Sequence, residues 1–205
     1  STGPTYPTAH QRIYLGANRT RLAAALAANT PAALKFKQKV DSWAGGASIW
    51  GFQAWNAALL GQLSGNAMYC TKAVASVEAQ VSAAESKIAS GSQPEVANDS
   101  YLGIGELVGD LALVYDWCNT AVTPAQKTRW LAYANQAVWN VWNHQTAKWG
   151  NQTMPWSGWS VNNPSNNYYY SFLRATMLLG LATKGENASA DGFLNTFRTS
   201  KVLNQ

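Results

Sequence analysis

Apolar residues recur every three or four positions along most of the chain, which is the spacing of helices that bury one face. The longest example runs over residues 67–89, where Val74, Val77 and Val81 share one stripe. No stretch alternates apolar and polar residues regularly enough to predict a strand. The pattern therefore predicts an all-α protein, with helices at about 31–43, 52–63, 67–89, 102–118, 124–142, 167–181 and 188–202.

Two of the predicted helices begin with distinct start signals. Thr30 precedes Pro31, which is the order of a capping residue followed by proline at the first helical position. Thr123 and Pro124 repeat that order, and Gln126 completes the spacing of a capping box. Short breaks rich in Gly, Ser and Asn separate the helices, so neighbouring helices are expected to form hairpins.

One hairpin turn occurs twice along the chain. A Leu-Leu-Gly triplet ends at Gly61 and again at Gly180, and each is followed within a few residues by a second glycine and a new helix. Repeated helical hairpins are the building unit of toroids and solenoids. We therefore expect one domain over residues 1–205, an incomplete (α/α) toroid of antiparallel helical hairpins with an extended lead-in at 1–17.

The composition narrows the class of ligand. Only 12% of the residues are charged, about half of the usual ~25%, so amides and hydroxyls must supply the polar surface. The net charge is +5, yet the basic residues form no block, whereas nucleic-acid binders concentrate them in a patch. A mildly positive cleft for an anionic polysaccharide or oligosaccharide is one interpretation. A basic protein without any charged partner is the other.

The location of the protein is the next expectation. No apolar run approaches the ~18 residues that cross a bilayer, so no membrane span is expected. Residues 1–4 resemble a processed start, and the low charge suits a secreted or periplasmic protein. Residues 202–205 contain no stop signal, which leaves room for a further domain after residue 205.

Cysteines and histidines are too few to define a metal site. Cys70 and Cys118 are the two cysteines, and His10 and His144 are the two histidines. The cysteines form either one disulfide in an oxidising compartment or two buried thiols. Neither a metal-ligand spacing nor a nucleotide-binding motif is present, so no metal and no cofactor are expected.

A loop at about 147–166 and the residues just after it contain the densest aromatic and amide cluster of the chain. Aromatic faces pack against sugar rings, and the amides beside them hydrogen-bond hydroxyls and carboxylates. Aromatic rings that merely cover the ends of helices are the alternative interpretation. The candidate substrate-binding residues in this cluster are Trp156, Trp159, Asn162 and Asn166.

Three short motifs resemble the polysaccharide lyases with helical toroid domains, namely the alginate lyases and the heparinase II/III-like proteins. The segment 166–172, Asn-Asn-Tyr-Tyr-Tyr-Ser-Phe, is similar to their Asn-Asn-His motif with a following aromatic residue. The lead-in at 10–15, His-Gln-Arg-Ile-Tyr-Leu, and the Tyr-Asp-Trp at 115–117 are similar to two further motifs of these families. The resemblance spans most of the chain.

This resemblance implies β-elimination at a uronic acid. It places Asn167 as the group that neutralises the substrate carboxylate, and Tyr168 at the position of the family's histidine. Tyr168 or Tyr169 is then the candidate base and acid. Arg174 follows Asn167 by seven positions, on roughly the same helical face, where it can pair with the carboxylate.

Two departures from the family pattern leave alternatives open. A tyrosine replaces the histidine, and the family's later catalytic tyrosine has no match before residue 205. Either the chain contains only part of the catalytic site, or Tyr168 or Tyr169 acts in place of the histidine, or the chain is a non-catalytic carbohydrate-binding or scaffold domain. A glycoside hydrolase on a similar toroid is a further alternative, and its candidate carboxylates are Glu106, Asp110 and Asp116.

Overall fold

The computed structural model describes residues 4–203, and helix accounts for 66% of the chain. The strands of the described residues are two-residue pieces, β1 (Lys148–Trp149) and β2 (Gln152–Thr153), paired antiparallel. The all-α class is therefore confirmed. The helices are α1 (Asn18–Ala27), α2 (Pro31–Ala44), α3 (Trp55–Ser64), α4 (Ala67–Ala89), α5 (Asn98–Tyr101), α6 (Ile104–Trp117), α7 (Pro124–Trp142), α8 (Asn167–Thr183) and α9 (Ala190–Asn195). Three 3-10 turns, Glu95–Ala97, Asn119–Ala121 and His144–Thr146, and a π-helix, Thr196–Val202, complete the elements.

Both predicted start signals are confirmed. The Thr30 side chain accepts a hydrogen bond from the Ala33 backbone at the start of α2. At α7 both halves of the capping box form, since the Gln126 N–H donates to Thr123 Oγ1 and the Thr123 N–H donates to Gln126 Oε1. These bonds satisfy backbone donors that the first turn of a helix leaves without partners.

Helix α6 is the centre of the core. It is apolar nearly all round, and its residues from Ile104 to Trp117 are buried except Glu106, Leu107 and Asp110. It packs most extensively against α8 and also contacts α3, α4 and α7. Groove residues of α6 and α8 are therefore held by the best-packed part of the molecule.

Glycine permits the closest approach of α6 to α8. A Cβ atom added to Gly105 would lie 2.7 Å from Ser171 Oγ and 2.9 Å from the Ser171 backbone. The Ser171 hydroxyl accepts a hydrogen bond of 2.8 Å from the Gly105 N–H and donates one to the Leu102 carbonyl. This contact fixes the first half of α8 against the start of α6.

A disulfide joins Cys70 in α4 to Cys118 at the end of α6, with 5.4 Å between the Cα atoms. Of the two alternatives that the sequence left open, a disulfide or two buried thiols, the structure shows the disulfide. Gly61 lies beside it, since a Cβ atom there would be 3.3 Å from Cys70 Sγ. The disulfide thus ties the α3–α4 hairpin to the central helix.

The lead-in is held to the far end of α6 by a buried carboxylate. Asp116 is fully buried and accepts hydrogen bonds from the backbone N–H groups of Arg12 and Ile13 and from His10 Nδ1. The Trp117 indole donates to the Ile13 carbonyl. Asp116 therefore anchors the lead-in rather than lining a cleft.

The structure adds elements that the sequence pattern did not predict. Helix α1 follows the lead-in and contains no buried residue, and the predicted last helix is a short α9 continued by the π-helix. The interpretations of residues 1–4 as a processed start and of 202–205 as an open end fall largely outside the described residues, since 1–3 and 204–205 are not described. Within 4–203, every helix is either too short or too polar to cross a membrane.

Candidate functional site

A groove of about 650 Å³ opens between the first half of α8 and the chain that leads into α6, and we call it the α8 groove. Its volume falls in the range of small-molecule sites. One wall is formed by α8 and the other by the segment 95–107. The polar residues that line it are Asn167, Tyr170, Ser171 and Arg174 on the α8 wall, and Glu95, Asn98, Asp99 and Glu106 on the opposite wall.

Helical spacing and one N-terminal cap determine which residues of α8 face the groove. Asn166 caps the helix, since its side-chain oxygen accepts a hydrogen bond of 2.9 Å from the Tyr168 N–H. Asn167 is then the first helical residue, and its exposed side chain lines the groove. Tyr170 and Arg174 follow on the same face, at three and seven positions further on. The N-terminal end of a helix also favours a bound anion.

Arg174 is a half-buried cation without an ion-pair partner among the described residues. Its Nε atom is buried and lacks a hydrogen-bond partner. Gly109 leaves the space for this side chain, because a Cβ atom there would lie 3.2 Å from Nε. A guanidinium in that state is suited to bind a carboxylate with two hydrogen bonds.

The three consecutive tyrosines have three different environments. Tyr168 is half-buried and donates a hydrogen bond of 2.8 Å to Asp99, which raises the pKa of its hydroxyl. Tyr169 lies in the core with 1% exposure, donates to the Lys201 carbonyl, and has a pKa raised by burial. Tyr170 is 62% exposed and lines the groove. The tyrosine that meets the groove is therefore Tyr170, and Tyr169, a predicted catalytic residue, faces away from it.

The opposite wall contains a left-handed turn. Asp99, Ser100 and Tyr101 have φ values of 48°, 52° and 62°, in a region that side chains other than glycine seldom occupy. The buried Tyr101 hydroxyl accepts hydrogen bonds from Asn140 and from the Trp149 indole, which hold the turn in place. Strained backbone of this kind concentrates at functional sites.

Two exposed carboxylates, Glu95 and Glu106, stand on the same wall. Neither pairs with a cation among residues 4–203. Negative charge therefore lies along one wall of the groove, while Arg174 and the N-terminal end of α8 lie along the other. This asymmetry would orient an acidic ligand with its carboxylate toward α8.

Asp110 lies one helical turn after Glu106 in α6 and lines a neighbouring cavity. It accepts hydrogen bonds from the backbone N–H groups of Ala54, at 3.1 Å, and Trp55, at 2.6 Å. Burial raises the pKa of Asp110 to about 6, although these two hydrogen bonds and the charge of Arg174 act in the opposite direction. The carboxyl thus fastens the chain before α3 to α6.

Three of the other predicted substrate-binding residues serve local structure, and the fourth, Trp159, lies outside the groove. Trp156 is half-buried, packs against Tyr101 and Phe172, and donates its indole N–H to the Asn140 carbonyl. Asn162 accepts a hydrogen bond from Lys201, and Asn166 is the cap described above. Trp159 is 56% exposed but does not line the groove.

Of the predicted residues, the structure therefore brings Asn167 and Arg174 together in the groove, with Tyr168 behind Asp99. Sequence reasoning missed Tyr170, although counting helical positions from Asn167 would have found it. It also missed Glu95, Asn98 and Asp99; the tolerance of Asp for left-handed backbone was a signal for Asp99 alone. No protein-family model, no curated protein and no solved structure matches this chain.

Proposed function

We propose that the protein is a polysaccharide lyase, or a domain of one, that cleaves an anionic, uronate-containing polysaccharide by β-elimination. The observation that carries the proposal is the alignment of Asn167, Tyr170 and Arg174 along one wall of an open groove. On successive turns of α8 they provide an amide and an unpaired guanidinium that can bind the carboxylate of a uronate, and a hydroxyl that can transfer a proton. No cofactor is required for this chemistry.

The reaction assigns a role to each of these groups. Arg174 and the Asn167 amide bind the uronate carboxylate and stabilise the negative charge that builds on it. A base takes the proton from the carbon beside the carboxylate. The electron pair of that C–H bond becomes the new carbon–carbon double bond, the bond to the glycosidic oxygen breaks, and the departing oxygen receives a proton. Tyr170 is the proposed proton carrier, because it is the tyrosine that lines the groove.

The first test is turnover by Asn167→Ala, measured as the ultraviolet absorbance of the unsaturated product. We expect a loss of about 10²–10³-fold in kcat, with a smaller change in binding, because the amide acts on charge that develops in the transition state. Asn151→Ala is the control, since Asn151 is an exposed amide between β1 and β2. Absence of the absorbance change on every uronate polymer with the wild-type protein would contradict the proposal. If the wild-type protein binds a uronate polymer without turnover, and Asn167→Ala weakens that binding, a carbohydrate-binding module would be favoured instead.

The second test removes one hydroxyl. Tyr170→Phe should lower kcat by about 10²–10⁴-fold while leaving the affinity for the polymer nearly unchanged. Tyr169→Phe is the matched control in the core, and its effect is expected on stability rather than on turnover. A Tyr170→Phe protein with wild-type kcat would exclude Tyr170 as the proton carrier.

A glycoside hydrolase is the second candidate, for one specific reason. Hydrolases use a pair of carboxylates at the scissile bond, and Glu95 and Glu106, which come from different elements and have no ion-pair partner among residues 4–203, both face the groove. Release of reducing ends without ultraviolet absorbance, abolished by Glu106→Gln, would favour this function over elimination.

The finer fold and the location belong to the same proposal. The extensive packing of α6 on α8, with α7 touching both, supports an incomplete (α/α) toroid in which alternate helices lie side by side. The Cys70–Cys118 disulfide supports export to an oxidising compartment, secreted or periplasmic. Mass spectrometry of the protein from its native source, with and without reduction, tests the second point.

A further inference from the structure

Positive charge is distributed unevenly along the chain. Residues 1–77 contain seven basic residues and one acidic residue, Asp41, whereas residues 78–205 contain eight basic and nine acidic residues. The first segment therefore carries a net charge of +6 and the second a net charge of −1. An asymmetry of this size indicates attraction of a polyanion to one part of the surface.

Most of this charge lies on the hairpin of α1 and α2, residues 18–44, which we call the basic hairpin. Its basic residues, all of them exposed, are Arg19, Arg21, Lys35, Lys37 and Lys39. Lys37 forms an ion pair of 2.6 Å with Asp41, the one carboxylate of the hairpin. Arg19 has neutral partners, because its guanidinium donates to the Gln11 side chain and to the Gln62 carbonyl.

The other three cations of the hairpin have no ion-pair partner among residues 4–203, and they are Arg21, Lys35 and Lys39. Lys35 and Lys39 are four positions apart in α2, so they lie on the same side of the helix and repel each other. Helix α3, which packs against both helices of the hairpin, contains no acidic residue. A bound polyanion would relieve this repulsion.

The apolar side of the hairpin already faces the protein. Leu26 and Phe36 pack against the core, and Val40 is fully buried. Leu34, at 39% exposure, is the large apolar residue that the hairpin leaves exposed. A helix that binds a membrane surface presents a wide apolar face to the lipid. The outer side of the basic hairpin is therefore better suited to a water-soluble polyanion.

The α8 groove does not attract a polyanion by its own charge. Its lining contains three carboxylates, Glu95, Asp99 and Glu106, and the guanidinium of Arg174. Arg174 can bind one uronate carboxylate at short range, but the net negative charge of the lining repels an acidic polymer at longer range. Attraction of the polymer must therefore come from another part of the surface.

The basic hairpin ends beside a cavity that adjoins the groove. Trp43, in the last turn of α2, stacks on Phe52 with 4.7 Å between the ring centroids. Phe52 lines a cavity of about 480 Å³, which shares four lining residues with the groove, namely Glu95, Asn98, Glu106 and Leu107. Lys39 and Lys35 precede Trp43 by four and eight residues, about 6 Å and about 12 Å along the helix axis. A long polymer that occupies the groove and this cavity is thus brought to the end of the hairpin.

We propose that the basic hairpin is a docking surface for the acidic polysaccharide, separate from the α8 groove, with Arg21, Lys35 and Lys39 as the cations that contact it. The hairpin holds the polymer by charge while the groove acts on one of its units. This inference rests on the proposed lyase function for the identity of the polymer and adds a second binding surface to it.

The first measurement is calorimetric binding of alginate, a polymer of uronates, at low and high salt. Lys35→Gln/Lys39→Gln should weaken binding about fivefold at low salt, the effect of losing two exposed ion pairs, and should lower the salt dependence. Lys148→Gln/Arg198→Gln is the control, an equal loss of charge at two exposed residues that line neither the groove nor the adjoining cavity. Circular dichroism checks that both variants fold. Equal weakening by the control would mean that net charge alone attracts the polymer, and would overturn the docking surface.

Turnover separates the hairpin from the groove. On the long polymer, Lys35→Gln/Lys39→Gln should raise KM about fivefold with kcat nearly unchanged, because binding is weakened equally in the ground and transition states. On a uronate trisaccharide, too short to occupy the groove and the hairpin at once, wild type and variant should have the same kcat/KM. An equal loss of rate on the trisaccharide would place the two lysines at the reacting unit and overturn a separate surface.

The docking surface and the lyase function fail separately. Alginate binding that the hairpin variant weakens, without an absorbance increase on any uronate polymer, would remove the lyase function and leave the docking surface standing. Normal turnover with binding and KM unaffected by the variant would overturn the docking surface and leave the lyase function. Tighter binding of anionic phospholipid vesicles or of duplex DNA than of any acidic polysaccharide, lost in the same variant, would overturn the polysaccharide as the partner.

Discussion

Neighbouring residues of α8 have different roles because the helix turns them toward different surroundings. Asn167 and Tyr170 face the groove, Tyr168 reaches Asp99 across its edge, and Tyr169 enters the core beside Trp142. The sequence motif alone ranks the first two tyrosines as the reactive ones. Helical register places the third tyrosine in the groove.

Gly105 allows α8 to pack closely against α6 at Ser171, and so determines where the groove residues of α8 lie. Gly105→Ala would bring a Cβ atom against Ser171, including backbone atoms that a rotamer change cannot move. We expect a loss of about 1–3 kcal/mol in the free energy of unfolding from overpacking, and a drop in turnover because α8 must shift. Urea unfolding and the absorbance assay measure the two effects. Gly192→Ala is the control, since Gly192 has open space around its Cβ position and should gain up to about 1 kcal/mol.

Asp110 gives the stability a specific pH dependence. Its pKa in the folded protein is about 6, above the reference value of 3.8, so the folded state binds this proton more tightly than the unfolded chain does. The contribution is fully present below pH 3.8 and is lost as the pH rises to about 6, by up to about 3 kcal/mol for a shift of this size.

Urea unfolding of wild type and Asp110→Asn between pH 3.5 and 7 tests this linkage. The stability of wild type relative to the variant should fall as the pH rises from about 4 to 6 and stay level above that. Asp191→Asn, an exposed carboxylate, should give a nearly level difference. A level difference for Asp110→Asn would contradict a raised pKa at this site.

At the scale of elements, helices with an apolar stripe and a cap could be predicted from the sequence, as α4 and α7 illustrate. Helix α1 was not predicted, because its apolar residues other than alanine are two, Leu22 and Leu26, and neither is fully buried. The left-handed turn at 99–101 could not be predicted, because long-range hydrogen bonds from Asn140 and Trp149 to Tyr101 hold it. The wall of the α8 groove that lies opposite α8 contains that turn, and it therefore could not be predicted from the sequence.

Two of the three short sequence motifs, at 10–15 and 115–117, contact each other in one anchor. The lead-in motif contributes His10, Arg12 and Ile13, and the middle motif contributes Asp116 and Trp117. They lie far apart in sequence, and nothing in either motif indicates that one binds the other. Their contact is structural, and it joins the start of the described chain to the end of α6.

Asp116→Ala should therefore release the lead-in. The backbone N–H groups of Arg12 and Ile13 lose their acceptor, and His10 loses one of its two carboxylate partners. We expect a loss of about 3–5 kcal/mol in stability, the usual effect of breaking a buried ionic contact. Limited proteolysis should cut within residues 4–17 sooner than in wild type. Asp191→Ala should change stability by no more than about 1 kcal/mol, and equal cutting of both variants would refute the anchor.

At the scale of the whole molecule, the disulfide is the one covalent tie between hairpins among the described residues. It joins Cys70 to Cys118 across 48 positions of sequence, and neither cysteine lines the α8 groove. The sequence shows both cysteines, but the distance between them in the folded protein depends on how α4 packs against α6 and could not be predicted. Stability and function should therefore respond differently to its loss.

A Cys70→Ala/Cys118→Ala double variant separates the two responses. A cross-link over a loop of this length restricts the unfolded chain, and its loss should cost about 2–4 kcal/mol in the free energy of unfolding. Because α6 remains packed on α8 without the bridge, turnover measured well below the melting temperature should be close to that of wild type. Reducing agent should bring wild type to the stability of the double variant and leave the double variant unchanged. Loss of turnover in a double variant that is still folded would mean that the disulfide also sets the position of the groove walls, and that the central helix alone does not.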